Sequence, residues 1–64
     1  MIPVSSSAIS AIGYDSATQK MQICFKDSGT YTFCRVPQYI FEDFLSASSK
    51  GKYYAQHIRD RYQC

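Results

Sequence analysis

No two cysteines in this 64-residue chain are spaced as CxxC, and there is a single histidine, His57. A tetrahedral zinc site needs four Cys or His ligands at paired spacing, so no metal site is expected and no cofactor is implied. The three cysteines, Cys24, Cys34 and Cys64, are an odd and low count. They do not form the disulfide framework of a small secreted domain, and the reading is a protein of a reducing compartment. The N-terminal MIPVSSSAIS has neither a basic start nor an apolar run, which excludes a signal peptide. The longest apolar stretch is a few residues, far short of the roughly 20 that cross a bilayer. A Gly-rich phosphate loop and an HExxH motif are both missing. What remains is a soluble cytoplasmic protein, and the start at Met1 leads us to expect a complete small gene product.

What is present fits one folded domain spanning residues 1–64. The hydrophobic fraction is 45% and the aromatic fraction 16%, which suits a globular chain and not a disordered one. A domain this short buries only about 60% of the surface its unfolded chain exposes. It has no chain to spare for a deep substrate cavity. The formal charge of +2 is too small to mark a nucleic-acid binder by itself.

Local patterning predicts three strands and then two helices. Ala8 to Tyr14 reads as an impure strand, because Ile9 and Ile12 lie three apart and cannot share a face of a regular strand. A bulge near Ala11 or Gly13 would reconcile them. Asp15 to Thr18 suits a turn. Met21, Ile23 and Phe25 alternate with Gln22, Cys24 and Lys26, and Tyr31 and Phe33 alternate with Thr30, Thr32 and Cys34. The expected register sets Phe25 opposite Tyr31 and Ile23 opposite Phe33. Asp27-Ser28-Gly29 then forms the loop, with Gly29 in its left-handed position. Cys24 falls opposite Thr32 and only diagonal to Cys34, about 7–8 Å away, too far for an easy disulfide. Pro37 opens a first helix, with Ile40, Phe41, Phe44 and Leu45 in one stripe and Gln38, Glu42 and Ser46 opposite. Ser49 caps a second helix from Lys52 to about Arg61, with Tyr54, Ile58 and Tyr62 on one face.

The fold class expected is α+β: a small three-stranded antiparallel sheet with two helices packed on one face. The predicted core is Ile9, Ile12, Met21, Ile23, Phe25, Tyr31, Phe33, Ile40, Phe41, Phe44, Leu45, Tyr54 and Ile58. The other sheet face stays wet or meets a partner.

The string of Ser7, Ile9 and Ile12 to Asp15, the central Tyr31-Thr32-Phe33, the Val36-Pro37 step, the stretch from Phe44 to Tyr54 and Ile58 together resemble the KTSC domain family. That family takes its name from a domain at the C-terminus of some lysyl-tRNA synthetases, and it also occurs as short free-standing bacterial and phage proteins. The resemblance implies a stand-alone module of that kind and suggests RNA as a ligand. Phe33 departs from the family's central motif, which usually ends in Tyr, so a hydroxyl at that position has no chemistry to do here.

Three constellations compete for a function. Tyr31 and Phe33 could stack unpaired bases, but the plainer reading holds them in the only core. The second is charge. From residue 50 onward, four cations, Lys50, Lys52, Arg59 and Arg61, stand against Asp60 alone, a net +3. In the first 49 residues Lys20, Lys26 and Arg35 stand against Asp15, Asp27, Glu42 and Asp43, a net −1. With Tyr53 and His57 interleaved, the C-terminal end is the best phosphate-binding surface, against the plainer reading of solvated cations on a last helix. The third is catalysis. His57 could pair with Asp60 or a Tyr, and Cys24 could be activated by Lys26 on its strand face, but no nucleophile–base pair is evident.

The leading expectation is therefore a non-enzymatic binding module, with RNA contacted by Lys50, Lys52, Arg59 and Arg61 and stacked by Tyr53 or His57. The alternative is a protein-interaction module, phage- or prophage-encoded, that docks on a host protein. It would use the open sheet face or the edge of the first strand, through Gln22, Cys24, Lys26, Thr32 and Arg35. No membrane contact is expected, and the chain should be a monomer or a weak homo-oligomer.

Overall fold

The computed structural model describes residues 1–64. Its sheet is antiparallel and four-stranded, in the order β1 (Ile2–Pro3), β2 (Ile9–Asp15), β3 (Lys20–Phe25) and β4 (Gly29–Phe33). Helix α1 (Gln38–Ser46) follows, then α2 (Lys50–Tyr53), which continues as a wider π-helical turn over Tyr54–Ile58. The extra strand is β1. Two residues, one a proline without an N–H, carry no periodicity, so the sequence pattern could not show it. Ile2 pairs with Ile12 and Pro3 with Ala11, so the edge left open in the sequence reading is partly covered.

The bulge is real and lies at Ser10, between Ile9 and Ala11, where the pairing with β3 steps by one. It turns both Ile9 and Ile12 to the same face, and both are fully buried. The Ser10 hydroxyl donates to the Cys24 carbonyl across the bulge at 3.1 Å, occupying a group that the broken ladder leaves free. Asp15 accepts from the Ala17 amide at 3.0 Å and shapes the turn into β3 as expected.

The β3–β4 register differs from the expected one by two residues. Phe25 pairs with Gly29, Ile23 with Tyr31 and Met21 with Phe33, leaving Lys26-Asp27-Ser28 as the loop. A slip of two preserves every side-chain face, so the alternating pattern cannot distinguish the two registers. Gly29 still takes the left-handed backbone, with φ +87°.

The core is Ile9, Ile12, Met21, Ile23, Phe33, Val36, Ile40, Phe44 and Ile58. Tyr31, expected inside, is 49% exposed, and Val36, a lone apolar residue in the β4–α1 connection, is fully buried. Phe25, Phe41, Leu45 and Tyr54 are half-buried around the core. Phe33 meets Tyr54 edge-on at 6.0 Å between ring centres, and Phe41 stacks on Tyr14 at 4.8 Å, so both helical segments are held by rings on the sheet.

Tyr14 also donates its hydroxyl to the Val36 carbonyl at 2.6 Å, tying β2 to the connection that enters α1. Tyr14→Phe would leave that carbonyl without its partner. It should cost about 1–2 kcal/mol, read as a lower urea midpoint at unchanged m value.

The last helix ends at Ile58, short of the Arg61 expected. The Arg59 amide reaches back to the Tyr54 carbonyl at 2.8 Å, and Asp60 adopts a left-handed φ of +62° that turns the chain away. The chain then returns to the sheet, where the Cys34 amide donates to the Tyr62 carbonyl at 2.8 Å. A disulfide joins Cys34 to Cys64 across 30 residues, with Cα atoms 4.9 Å apart, and Cys24 stays free. The odd cysteine count gives no sign of this bond, while Cys24 and Cys34, expected to lie too far apart for an easy disulfide, do not pair with each other. Cys34 and Cys64 meet only because the turn at Asp60 brings the tail home. No helix is long and apolar enough to cross a membrane.

Candidate functional site

The last helix builds the candidate surface. Ser49 accepts from the Lys52 amide at 3.4 Å and starts the helix as expected. Ser49, Lys52, Tyr53 and Gln56 follow the spacing of one helical face. Together with Ala47 and Ser48 they line an open recess of about 210 Å³. Tyr53 stacks on the buried Phe44 at 5.5 Å and 18°, and His57 lies on Tyr53 at 4.5 Å and 35°. Three rings thus form a pile that starts in the core and ends at an exposed imidazole. Tyr53 is half-buried with neighbours on two sides, so it supports the pile and His57 presents the free ring. Burial pushes the Tyr53 phenol above its ordinary pKa, with the Asp43 charge adding to the effect, and the hydroxyl stays protonated.

Among the six residues expected to meet RNA, Lys52, Tyr53 and His57 come together. Lys50 does not join them. Its ammonium donates to the Ala47 carbonyl at 2.6 Å and closes the C-terminal end of α1. Arg59 and Arg61 are exposed, in the turn after the helix and not on its face. Asp60 accepts from the Gln63 amide at 3.3 Å and does not pair with His57. Gln56 has no role in the sequence reading. The spacing of Ser49, Lys52, Tyr53 and Gln56 is the signal that would have brought it in.

The open sheet face carries Gln22, Cys24 and Thr32, as expected. Lys26 is in the turn after β3, and Arg35 is in the β4–α1 connection with φ +55°, so neither belongs to that face. Cys24 opposes Thr30, not Thr32. The groups beside its thiol are the hydroxyls of Ser10 and Thr30, whose hydrogen bonds hold its pKa below the ordinary value; Lys26 is not among the causes. The Ser10 proton has a second acceptor in the Cys24 carbonyl. At one end of this face a recess of about 370 Å³ contains Asp15, Lys20, Gln22 and Thr32, beneath Met1, which lies against Gly13. Asp15 and Lys20 are cross-strand partners, so the opposite charges largely cancel there. A third recess, about 300 Å³, is bounded by Phe25, Ser28, Tyr31 and Tyr54 at the hairpin end.

The KTSC domain pattern matches residues 5–62. The chain belongs to the KTSC domain family. A KTSC domain protein of Yersinia pestis, known from its crystal structure, is 40% identical and superposes with a TM-score of 0.95 over 97% of this chain and 87% of that one. A protein of Tsukamurella paurometabola whose name states no activity is 40% identical over 63 residues, 98% of this chain and 94% of its own length. The KTSC chain is thus a small α+β domain with an antiparallel sheet and two helical segments.

Proposed function

We propose that the domain is a binding module for single-stranded RNA and that the last helix is its binding surface. The observation that carries this reading is the recess of Ser49, Lys52, Tyr53 and Gln56 beside the exposed His57 ring. Unpaired bases are recognised by stacking on flat rings and by amide groups at their edges, and phosphates by nearby cations. His57 offers the ring and Gln56 the amide. Lys52, with Arg59 and Arg61 in the following turn, offers the charge, in the part of the chain where cations dominate. The reading is of binding and not catalysis. The neighbours of Cys24 are hydroxyls, neither of which accepts a proton at neutral pH.

The test is fluorescence anisotropy with a labelled oligouridylate at several salt concentrations. Replacing Lys52, Arg59 and Arg61 by Ala should weaken binding and reduce the slope of log affinity against log salt by about 2, at about 0.7 for each phosphate no longer neutralised. Lys50→Ala should leave that slope unchanged and lower stability instead, because its ammonium is committed to Ala47. A wild-type chain that fails to bind at low salt ends this reading.

A specific observation favours a second reading: the largest recess, about 370 Å³, is on the open sheet face. A protein ligand seated there would resist nuclease and be lost on Thr32→Glu.

A further inference from the structure

The two edges of the sheet are guarded differently. On one side β1 is two residues long and ends in Pro3, which has no N–H to offer a neighbour. On the other side β4 reads Gly-Thr-Tyr-Thr-Phe, with no proline, no charge and no bulge. In an antiparallel ladder the N–H and C=O of one residue point to the same side, and the sides alternate along the strand. The Cys34 amide points away from β3, since it meets Tyr62. The backbone groups of Thr32 and Thr30 therefore point outward too.

The only cover on this edge is the C-terminal tail, held by the Cys34–Cys64 disulfide. The Cys64 sulfur lies 3.6 Å from the Thr32 carbonyl. A disulfide sulfur has no proton, so it shields that carbonyl without satisfying it. The tail lies over the Thr32 end of the strand edge, takes up the Cys34 amide, and leaves the outward groups of Thr30 and Thr32 without a backbone partner.

We propose that the β4 edge is a self-association site whose occupant is the same edge of a second copy, and that the Cys34–Cys64 disulfide keeps it closed. A two-fold axis through Tyr31 would place Thr30 opposite Thr32 of the partner subunit, and the outward amides and carbonyls of both would pair. The edge suits its own copy. Thr30 and Thr32 flank Tyr31 symmetrically, Thr–Thr pairs are favourable across strands, and no charge in the strand repels. The Tyr31 ring, 49% exposed in the single chain, would meet its counterpart and be covered. Opening the latch takes two equivalents of a thiol reductant. The reductant is oxidised to its own disulfide, the Cys34–Cys64 bond breaks, and each sulfur leaves with an electron pair and gains a proton.

Sedimentation equilibrium of the full chain tests this, from micromolar to millimolar concentration, with and without reductant. The oxidised chain should keep the monomer mass. The reduced chain and Cys64→Ser should approach twice that mass as concentration rises. Thr32→Pro removes only an outward N–H, a change that edge strands tolerate, and should hold the reduced chain at the monomer mass while circular dichroism shows it folded. Should that variant unfold, Thr30→Pro makes the same deletion one pleat away. A reduced chain that stays monomeric, folded or not, overturns the proposal. So does a dimer that forms equally well when oxidised, one that survives both folded proline variants, or one that forms only with an added foreign peptide.

Discussion

Phe44→Ala should lower the stability of the domain by about 3–5 kcal/mol, the usual cost of emptying a buried phenylalanine site. Phe44 is fully buried, the largest such side chain in the molecule, and it lies at the base of the ring pile that reaches His57. A folded domain of this size has roughly 0.05–0.15 kcal/mol of stability per residue, so the loss is comparable with the whole. Thermal unfolding followed by circular dichroism should shift down by about 20 °C or lose its transition altogether. Tyr31→Ala is the control. It also removes an aromatic ring, but one half in solvent, and it should cost under about 1 kcal/mol. If the two variants are equally damaging, the core is not where the burial places it.

Reducing the Cys34–Cys64 bond should cost about 3.5 kcal/mol in the dilute monomer. On the chain-entropy account, a bond closing a loop of this size removes that much freedom from the unfolded state. Urea unfolding at low micromolar concentration, with and without a phosphine reductant, measures it as a difference in midpoint. Cys24→Ser in the same experiment should leave the difference unchanged, because that thiol is free. A reduced chain as stable as the oxidised one would mean that the tail comes free of β4 when the bond opens, so that the folded chain regains as much freedom as the unfolded one. Because Arg59 and Arg61 lie between the helix and this bond, reduction should also loosen the segment that carries them.

Much of the fold is readable from individual residues. Ile9 and Ile12 demand a bulge, and Ser10 supplies it. The alternation from Met21 to Phe33 sets which side of the sheet meets the helices, since a strand repeats every two residues. The same periodicity is silent about a two-residue slip, and for that reason the expected register joins Phe25 to Tyr31 and not to Gly29. The slip is not trivial for the surface, because Tyr31 lies further out and half of it meets water. Val36 gives no signal because one buried residue in a connection has no period. The disulfide depends on the backbone reversal at Asp60, whose left-handed conformation no side-chain pattern encodes.

The candidate site is legible in its charge and less so in its geometry. The excess of cations after residue 49 picks out the segment that builds the recess. Helical spacing also puts Tyr53 and His57 four apart, where their rings meet. What composition cannot show is that a cation can be committed to the fold. Lys50 is such a residue, bound to the Ala47 carbonyl, and its loss should register in stability and not in binding. The helix end at Ile58 likewise leaves Arg59 and Arg61 in the following turn and not on a helix running to about Arg61, as expected.

Phe25 and Phe33 are committed to the helical segments through Tyr54, Tyr31 lies half in solvent, and recognition falls to the last helix. Amide chemical-shift mapping with an oligouridylate tests this most directly. The largest changes should fall on Lys52, Tyr53, Gln56 and His57, with Thr30 to Thr32 undisturbed. Changes centred on Tyr31 and its neighbours, with the last helix silent, would contradict it.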